Sequence, residues 1–151
     1  MSYYLSPNFT LEEMVKSQTA ERRGIPNVPE LHHIEAMEAL CENILQPIRD
    51  EFGPFIVSSG FRSAELCLAI GSTIKSQHAK GEAADFEVGS IDNADLAMWI
   101  RDNLPFDQLI LECYTGGNSG WIHCSYCSYR HNRGELLTFD RVNGYRKGLI
   151  L

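Results

Sequence analysis

Residues 76–86 place a histidine and an aspartate seven positions apart, with a glycine and small residues between them. This pattern predicts a turn that carries His78, followed by a strand from which Asp85 projects, with Gly81 at the bend. An imidazole nitrogen and a carboxylate oxygen are both ligands that Zn²⁺ accepts. The third candidate ligand is His123, in the predicted strand 121–125. Three protein ligands with one open position are typical of catalytic rather than structural zinc sites.

The spacing alone does not distinguish a metal site from ordinary polar residues at a surface. The residues that match a longer pattern, Ser-x-His-x-x-Gly-x-Ala-x-Asp, are Ser76, His78, Gly81, Ala83 and Asp85. This pattern resembles the signature of the zinc D-Ala-D-Ala carboxypeptidases. Their wider group includes bacteriophage peptidoglycan peptidases and shares its fold with the Hedgehog signalling domain.

Three further segments are similar to this family and follow in its order. Residues 58–63 resemble its Ser-Gly-Tyr/Phe-Arg-Ser segment, and residues 121–123 resemble its last metal-ligand strand. Residues 8–14 are similar to the opening of its compact, single-domain members. The resemblance implies one zinc ion held by His78, Asp85 and His123. It also implies hydrolysis of peptidoglycan peptides beside a D-amino acid, by a carboxypeptidase or an endopeptidase.

The resemblance also suggests residues that contact the substrate or support the metal ligands. Arg62 matches the arginine that faces the substrate in the family, and its guanidinium can hold a carboxylate or carbonyl in fixed register. Ser76 and Gln77 flank the first ligand, and Trp121 lies two residues before the last one. We therefore expect these four side chains at the site.

The general base is less obvious, because the sequence departs from the family here. Many members carry an acidic residue three positions before the final histidine ligand, or a histidine two before it, where this chain has Gly120 and Trp121. Our candidate is Glu112, which closes an apolar strand. An even offset between strands 106–114 and 121–125 would place Glu112 opposite or diagonal to His123. Glu82 and Glu87 are weaker alternatives beside Asp85.

Composition limits the classes of partner. The net charge of −7 argues against nucleic acid as the main partner, because binding phosphates requires a basic surface. No apolar run approaches the ~20 residues that a membrane span requires, and the N-terminus shows no signal-peptide pattern. We therefore expect a protein that is cytoplasmic as synthesised. Action on the cell wall, in phage-type lysis or wall remodelling, would then require a pore formed by another protein. The oligomeric state is not indicated.

Two alternatives remain open from the sequence. One is a non-catalytic binding module on the same fold. The other is a thiol enzyme in which one of five cysteines acts with His78 or His123 as base. Cys124 and Cys127 form a C-x-x-C motif, but with no second such motif we interpret them as small buried hydrophobic residues. We expect His32 and His33 to face solvent or the edge of the core.

The chain of 151 residues is expected to form a single zinc peptidase domain, residues 1–151. The predicted fold class is α+β, with helices packed on a small, mainly antiparallel sheet. The predicted helices are residues 10–18, 29–52, 64–69 and 93–103. A Thr10–Glu13 capping box begins the first helix, and Asp92 or Asn93 caps the last. Pro47 is expected to kink the second helix or to end it early. The predicted strands are residues 55–58, 83–88, 106–114 and 121–125, and the tail after residue 125 shows only short β-like pieces.

Overall fold

A computed structural model describes residues 2–151 of the chain. The helices are α1 (Leu11–Val15), α2 (Gln18–Arg23), α3 (Leu31–Leu40), α4 (Gln46–Phe52), α5 (Ala64–Ala69) and α6 (Asn93–Asn103), with a π-helical segment at Cys41–Leu45 and a 3₁₀ helix at Gln77–Lys80. The strands are β1 (Tyr4–Ser6), β2 (Phe9–Thr10), β3 (Val57–Ser59), β4 (Ala83–Phe86), β5 (Gln108–Glu112), β6 (Trp121–Ser125), β7 (Glu135–Asp140) and β8 (Gly144–Lys147).

Six strands form one sheet in the order β3-β4-β6-β5-β7-β8, and β1 pairs with β2 separately. In the six-stranded sheet β5 and β7 run parallel, while the other neighbouring strands are antiparallel. The prediction of an α+β fold with a mainly antiparallel sheet is confirmed.

The two faces of the central strands have different roles. Leu109, Leu111 and Ile122 are fully buried and pack with α6 and α3 residues in one continuous hydrophobic core. Because side chains alternate along a strand, Ile110 and Glu112 point to the opposite face. That face lies outside the core, and it carries the predicted site.

The long predicted helix 29–52 begins at Leu31 and continues to Phe52, so of the two effects expected of Pro47, a kink or an early end, the early end is not observed. Proline lacks the N–H for a helical bond and its ring clashes with the preceding turn. Immediately before Pro47 the helix widens, and the backbone N–H of Gln46 bonds to the carbonyl of Cys41 five residues back. No helix within residues 2–151 is both long enough and apolar enough to span a bilayer.

The N-terminal helix is also shorter than predicted. The Thr10–Glu13 capping box is confirmed, but α1 ends at Val15 instead of residue 18. Ser17 caps a separate helix, α2, by accepting the N–H of Ala20 at 3.2 Å. This second cap explains the break, because Ser17 adopts an extended backbone where a continuous helix would need a helical one.

The remaining elements agree with prediction in position, with strands somewhat displaced or shortened at their ends. The helix 93–103 and its Asp92 cap are confirmed. Of the strands, 55–58 is observed as β3, 83–88 as β4 and 106–114 as β5. The tail forms two full strands, β7 and β8, that extend the sheet beyond the predicted ones.

Candidate metal centre

Two of the predicted ligands lie opposite each other on neighbouring strands. Asp85 of β4 is the direct partner of His123 of β6 in the antiparallel ladder. Side chains of directly opposed residues point to the same face of a sheet. Their neighbours Ala84 and Phe86 are in the core, so Asp85 and His123 both point to the open face.

The third ligand, His78, lies in the 3₁₀ helix that precedes β4. The hydroxyl of Ser76 caps this helix and accepts the backbone N–H of His78 at 3.2 Å. Gly81 ends it with a left-handed backbone (φ +77°), and an added Cβ there would lie 2.6 Å from the carbonyl oxygen of His33 in α3. The turn that carries His78 is thus packed directly against α3, and only glycine fits at the contact.

The three side chains converge on one point. Nε2 of His78 lies 3.3 Å from Oδ1 of Asp85, and Nδ1 of His123 lies 3.0 Å from the same oxygen. One ligand atom from each residue lies within 4.8 Å of the other two. Ligands about 2.0–2.2 Å from a tetrahedral zinc ion are separated by about 3.3–3.6 Å. The 3.3 Å distance is within this range and the 3.0 Å distance is slightly below it, so the three atoms are close enough to share a single ion.

The orientation of His78 also fits a metal. Its Nδ1 lies 2.7 Å from the carbonyl oxygen of Gly60, which can only accept, so Nδ1 carries the proton. Nε2 then presents a lone pair, and it is buried without a hydrogen-bond partner in the described part of the chain. A buried lone pair facing a carboxylate is costly unless a cation lies between them. A backbone carbonyl on the far nitrogen is typical of metal-ligating histidines.

The charge states of two of these groups suit a cation. Burial raises the pKa of Asp85, but its contacts with His123 and His78 outweigh burial and hold that pKa well below the ordinary range. Burial lowers the pKa of His78. At neutral pH the site therefore offers an ionised carboxylate and a neutral imidazole, the forms that bind metals.

Arg62 lies beside these residues. Its backbone N–H donates to the carbonyl of His78 at 3.1 Å, and its Nη2 is 3.8 Å from Oδ2 of Asp85. The amide of Asn27 holds the segment by donating to the carbonyl of Phe61. Nε of Arg62 is buried and has no hydrogen-bond partner among residues 2–151. Arg62 thus brings its guanidinium to the site, with Nη2 beyond hydrogen-bond range of Asp85.

Glu112 and Trp121 are held together across the β5–β6 pair. They are direct partners, and Nε1 of Trp121 donates to Oε2 of Glu112 at 2.7 Å. The same register pairs Ile110 with His123, so the predicted even offset is observed and Glu112 is diagonal to His123. Burial, and then the negative charge of Asp85, raise the pKa of Glu112.

Gln77, which directly precedes His78, is held by two acidic side chains. Its amide donates to Glu82 at 3.2 Å and to Asp107 at 3.1 Å. It therefore ties the His78 turn to the residues that directly precede β4 and β5. Glu82, one alternative base, is buried in this contact, whereas Glu87 is exposed at a neighbouring pocket.

A cleft of about 540 Å³ contains the three ligands, Arg62 and Glu112. It is also lined by residues that the sequence did not indicate, namely Lys75, Arg133 and Tyr145. Arg133 and Tyr145 belong to the tail, and they reach the cleft only because β7 pairs with β5. Local patterns carry no signal for this pairing.

The cysteines and the other histidines do not extend this site. Cys124 and Cys127 are buried and not disulfide-bonded, as expected for small hydrophobic residues. Burial strongly raises the pKa of Cys124, which disfavours a reactive thiolate. His32 is exposed, and the half-buried His33 stacks on Phe61 at 4.8 Å, as expected from the sequence.

Comparison with known proteins identifies a family for most of this structure. A sequence model described as Peptidase M15 matches residues 7–125, which is more than half of the chain. The matched region ends with β6 and includes the three ligands, Arg62 and Glu112, while β7 and β8 lie beyond it. A search of curated proteins gave no match.

Proposed function

Since the chain belongs to the Peptidase M15 family of zinc-dependent D-Ala-D-Ala carboxypeptidase-type enzymes, we propose that it hydrolyses peptide bonds of bacterial peptidoglycan beside a D-amino acid. The observation that carries the proposal is the unpaired, buried Nε2 of His78 facing Asp85 and His123. These three residues would hold one zinc ion. Bound there, zinc would polarise the scissile carbonyl and lower the pKa of the attacking water.

Glu112 would act as general base. Its burial and raised pKa favour proton uptake, and its diagonal position relative to His123 brings the carboxylate to the metal side of the sheet. It would accept the proton of the attacking water and return it to the leaving amine. Trp121 would orient it through the 2.7 Å hydrogen bond to Oε2.

Arg62 would position the substrate. The partly exposed guanidinium lines the cleft and can donate to a peptide carbonyl or carboxylate, and the distance of 3.8 Å between Nη2 and Asp85 leaves it without a close ion pair. Ser76 would hold the backbone of His78, and Gln77 would brace the same turn.

The ligand set is tested by measuring bound zinc in purified variants. We expect His78→Ala and Asp85→Ala to lose stoichiometric zinc, and His131→Ala, which removes an exposed histidine at a different pocket, to retain it. Retention of stoichiometric zinc in both ligand variants would exclude this site.

The substrate is tested by digesting purified sacculi and identifying the released fragments by mass spectrometry. Fragments cut beside a D-amino acid, and absent after chelation, are expected. The fragments also distinguish a carboxypeptidase, which releases a terminal residue, from an endopeptidase. In cells we propose that residues 1–151 act as one catalytic domain in phage-type lysis or wall remodelling, synthesised in the cytoplasm and reaching the wall through another protein's pore.

One observation favours a second candidate, a zinc-containing binding module. Gly120 occupies the position where many relatives carry an acidic residue, and its backbone has no room for one. Its φ is +65°, and an added Cβ would overlap the carbonyl oxygen of Glu112. A protein that binds zinc and wall peptides but releases no product from sacculi would support this candidate over the enzyme.

A further inference from the structure

The cleft extends in both directions from the metal ligands along β5. Gln108, Ile110 and Glu112 alternate onto its open face, and Ile110 is the direct partner of His123. Four residues of strand span about 13 Å. Gln108 and Glu112 therefore mark two ends of the cleft, with the metal ligands near the middle.

The Glu112 end is aromatic. Trp121 and Phe139 are direct partners of Glu112 on its two neighbouring strands, and Tyr145 is the partner of Phe139 on β8. The rings of Tyr145 and Phe139 stack with centroids 4.6 Å apart. This end provides apolar contact surface and one carboxylate.

The opposite end is cationic, and its main cation is held in place. Asp107, immediately before β5, has a fully buried side chain that binds two arginines. Nε of Arg133 donates to Asp107 at 3.2 Å and Nη2 at 2.9 Å, so one edge of the guanidinium is fixed. About half of the Arg133 side chain remains exposed, and it lines the cleft.

The other edge of Arg133 is available to a ligand. Its Nη1 lies 3.7 Å from Glu135, beyond hydrogen-bond range. Asp107, Glu135 and Glu82, which Gln77 joins to Asp107, balance the charges of Arg130, Arg133 and Lys75. Of these six side chains, Arg133 and Lys75 line the cleft, so the charges that a ligand meets there are positive. A guanidinium with one edge immobilised loses little entropy on binding, and its planar fork matches a carboxylate.

We propose that Arg133 binds a carboxylate of the peptide substrate, at the end of the cleft away from Glu112. This inference rests on the proposed function and specifies its substrate further, as an acidic peptide that lies along β5. Lys75 adds attraction without fixing geometry. Because Arg133 lies beyond residues 7–125, this specificity would come from the part of the chain outside the family match.

The test measures peptide affinity by calorimetry, with the zinc-loaded protein at fixed salt and with peptides whose cleavable amide is replaced by a methylene linkage. Cleavage is followed separately on the unmodified peptides. The probe is a synthetic peptide ending in D-Ala-D-Ala with one glutamate, compared with two versions in which either the terminal or the side-chain carboxylate is an amide. We expect the wild type to bind the peptide with both carboxylates about tenfold more tightly than one of the two amidated peptides, as for a charge-assisted hydrogen bond. The amidated peptide that binds more weakly identifies the carboxylate that Arg133 contacts. Arg133→Gln should abolish that preference.

Arg130→Gln is the matched control. Arg130 pairs with the same Asp107 at 2.8 Å but lines a different pocket, so this variant removes equal charge and an equivalent ion pair. It should keep the preference for the acid. Equal binding of all three peptides by the wild type, or an unchanged preference in Arg133→Gln, would overturn this inference without contradicting the proposed function. A wild type that neither binds nor cleaves any of the peptides would contradict the proposed function as well.

Discussion

The carbonyl oxygen of Gly60 determines which nitrogen of His78 is available to a metal. Because it fixes the proton on Nδ1, Nε2 must present its lone pair towards Asp85. The position of Gly60 is itself tightly constrained, since a Cβ there would lie 2.5 Å from the carbonyl oxygen of Met14. A glycine outside the ligand set thus controls the chemistry of one ligand.

Arg62→Lys is expected to fold and retain zinc but to lose most of its turnover. Lysine keeps the positive charge but cannot replace the planar fork of the guanidinium. Zinc content and steady-state kinetics on a wall peptide measure the two effects separately. Arg101→Lys, in an exposed pair with Asp102, is the control and should leave both unchanged. Kinetics of Arg62→Lys equal to those of the wild type would contradict the assigned role.

Glu112→Gln is expected to lose about 10²–10⁴-fold in turnover while retaining zinc. The amide oxygen of glutamine can still accept the N–H of Trp121, so the local geometry is preserved while the base is removed. Rate measurements with the zinc-loaded variant test this. Glu87→Gln, at the neighbouring pocket, serves as control and should remain active. If Glu87→Gln were the inactive variant instead, the base would be Glu87.

At the scale of elements, predictions succeeded where local chemistry determines the structure. The Thr10 and Asp92 caps and the apolar run of β5 were visible in the sequence. The Ser17 cap was also a local signal, and it would have predicted α2. The parallel pairing of β7 with β5 joins residues 27 positions apart, such as Gln108 and Glu135. No local pattern records that pairing, so this wall of the cleft could not be predicted.

Gly81→Ala tests the contact between α3 and the His78 turn. We expect zinc affinity to fall at least tenfold, because the new Cβ would lie 2.6 Å from the His33 carbonyl and displace the turn. Gly71→Ala is a matched control with a similar φ of +81° and no atom within 4 Å of the added Cβ. It should cost about 1 kcal/mol of stability from backbone strain and leave zinc affinity unchanged. Equal zinc affinities in the two variants would show that the contact does not position His78.

At the scale of the whole molecule, the core and the candidate metal site lie on opposite faces of one sheet. The core packs Leu109, Leu111 and Ile122 against helices, whereas the ligands come from β4, β6 and the 3₁₀ turn on the open side. Folding therefore does not depend on the metal in the way that it does in small zinc-dependent domains. Zinc would instead add stability by binding the folded state.

This separation predicts the effect of removing zinc. The chelated protein should remain folded, with an unchanged far-ultraviolet circular dichroism spectrum at 25 °C. Adding zinc at about a thousand times its Kd should stabilise the fold by about 4 kcal/mol, and so raise the Tm by roughly 10 °C. His78→Ala, which removes one ligand, should melt at the same temperature with and without zinc. An apoprotein that unfolds on chelation would contradict the separation of core and site, and a zinc-dependent Tm in His78→Ala would place the ion elsewhere.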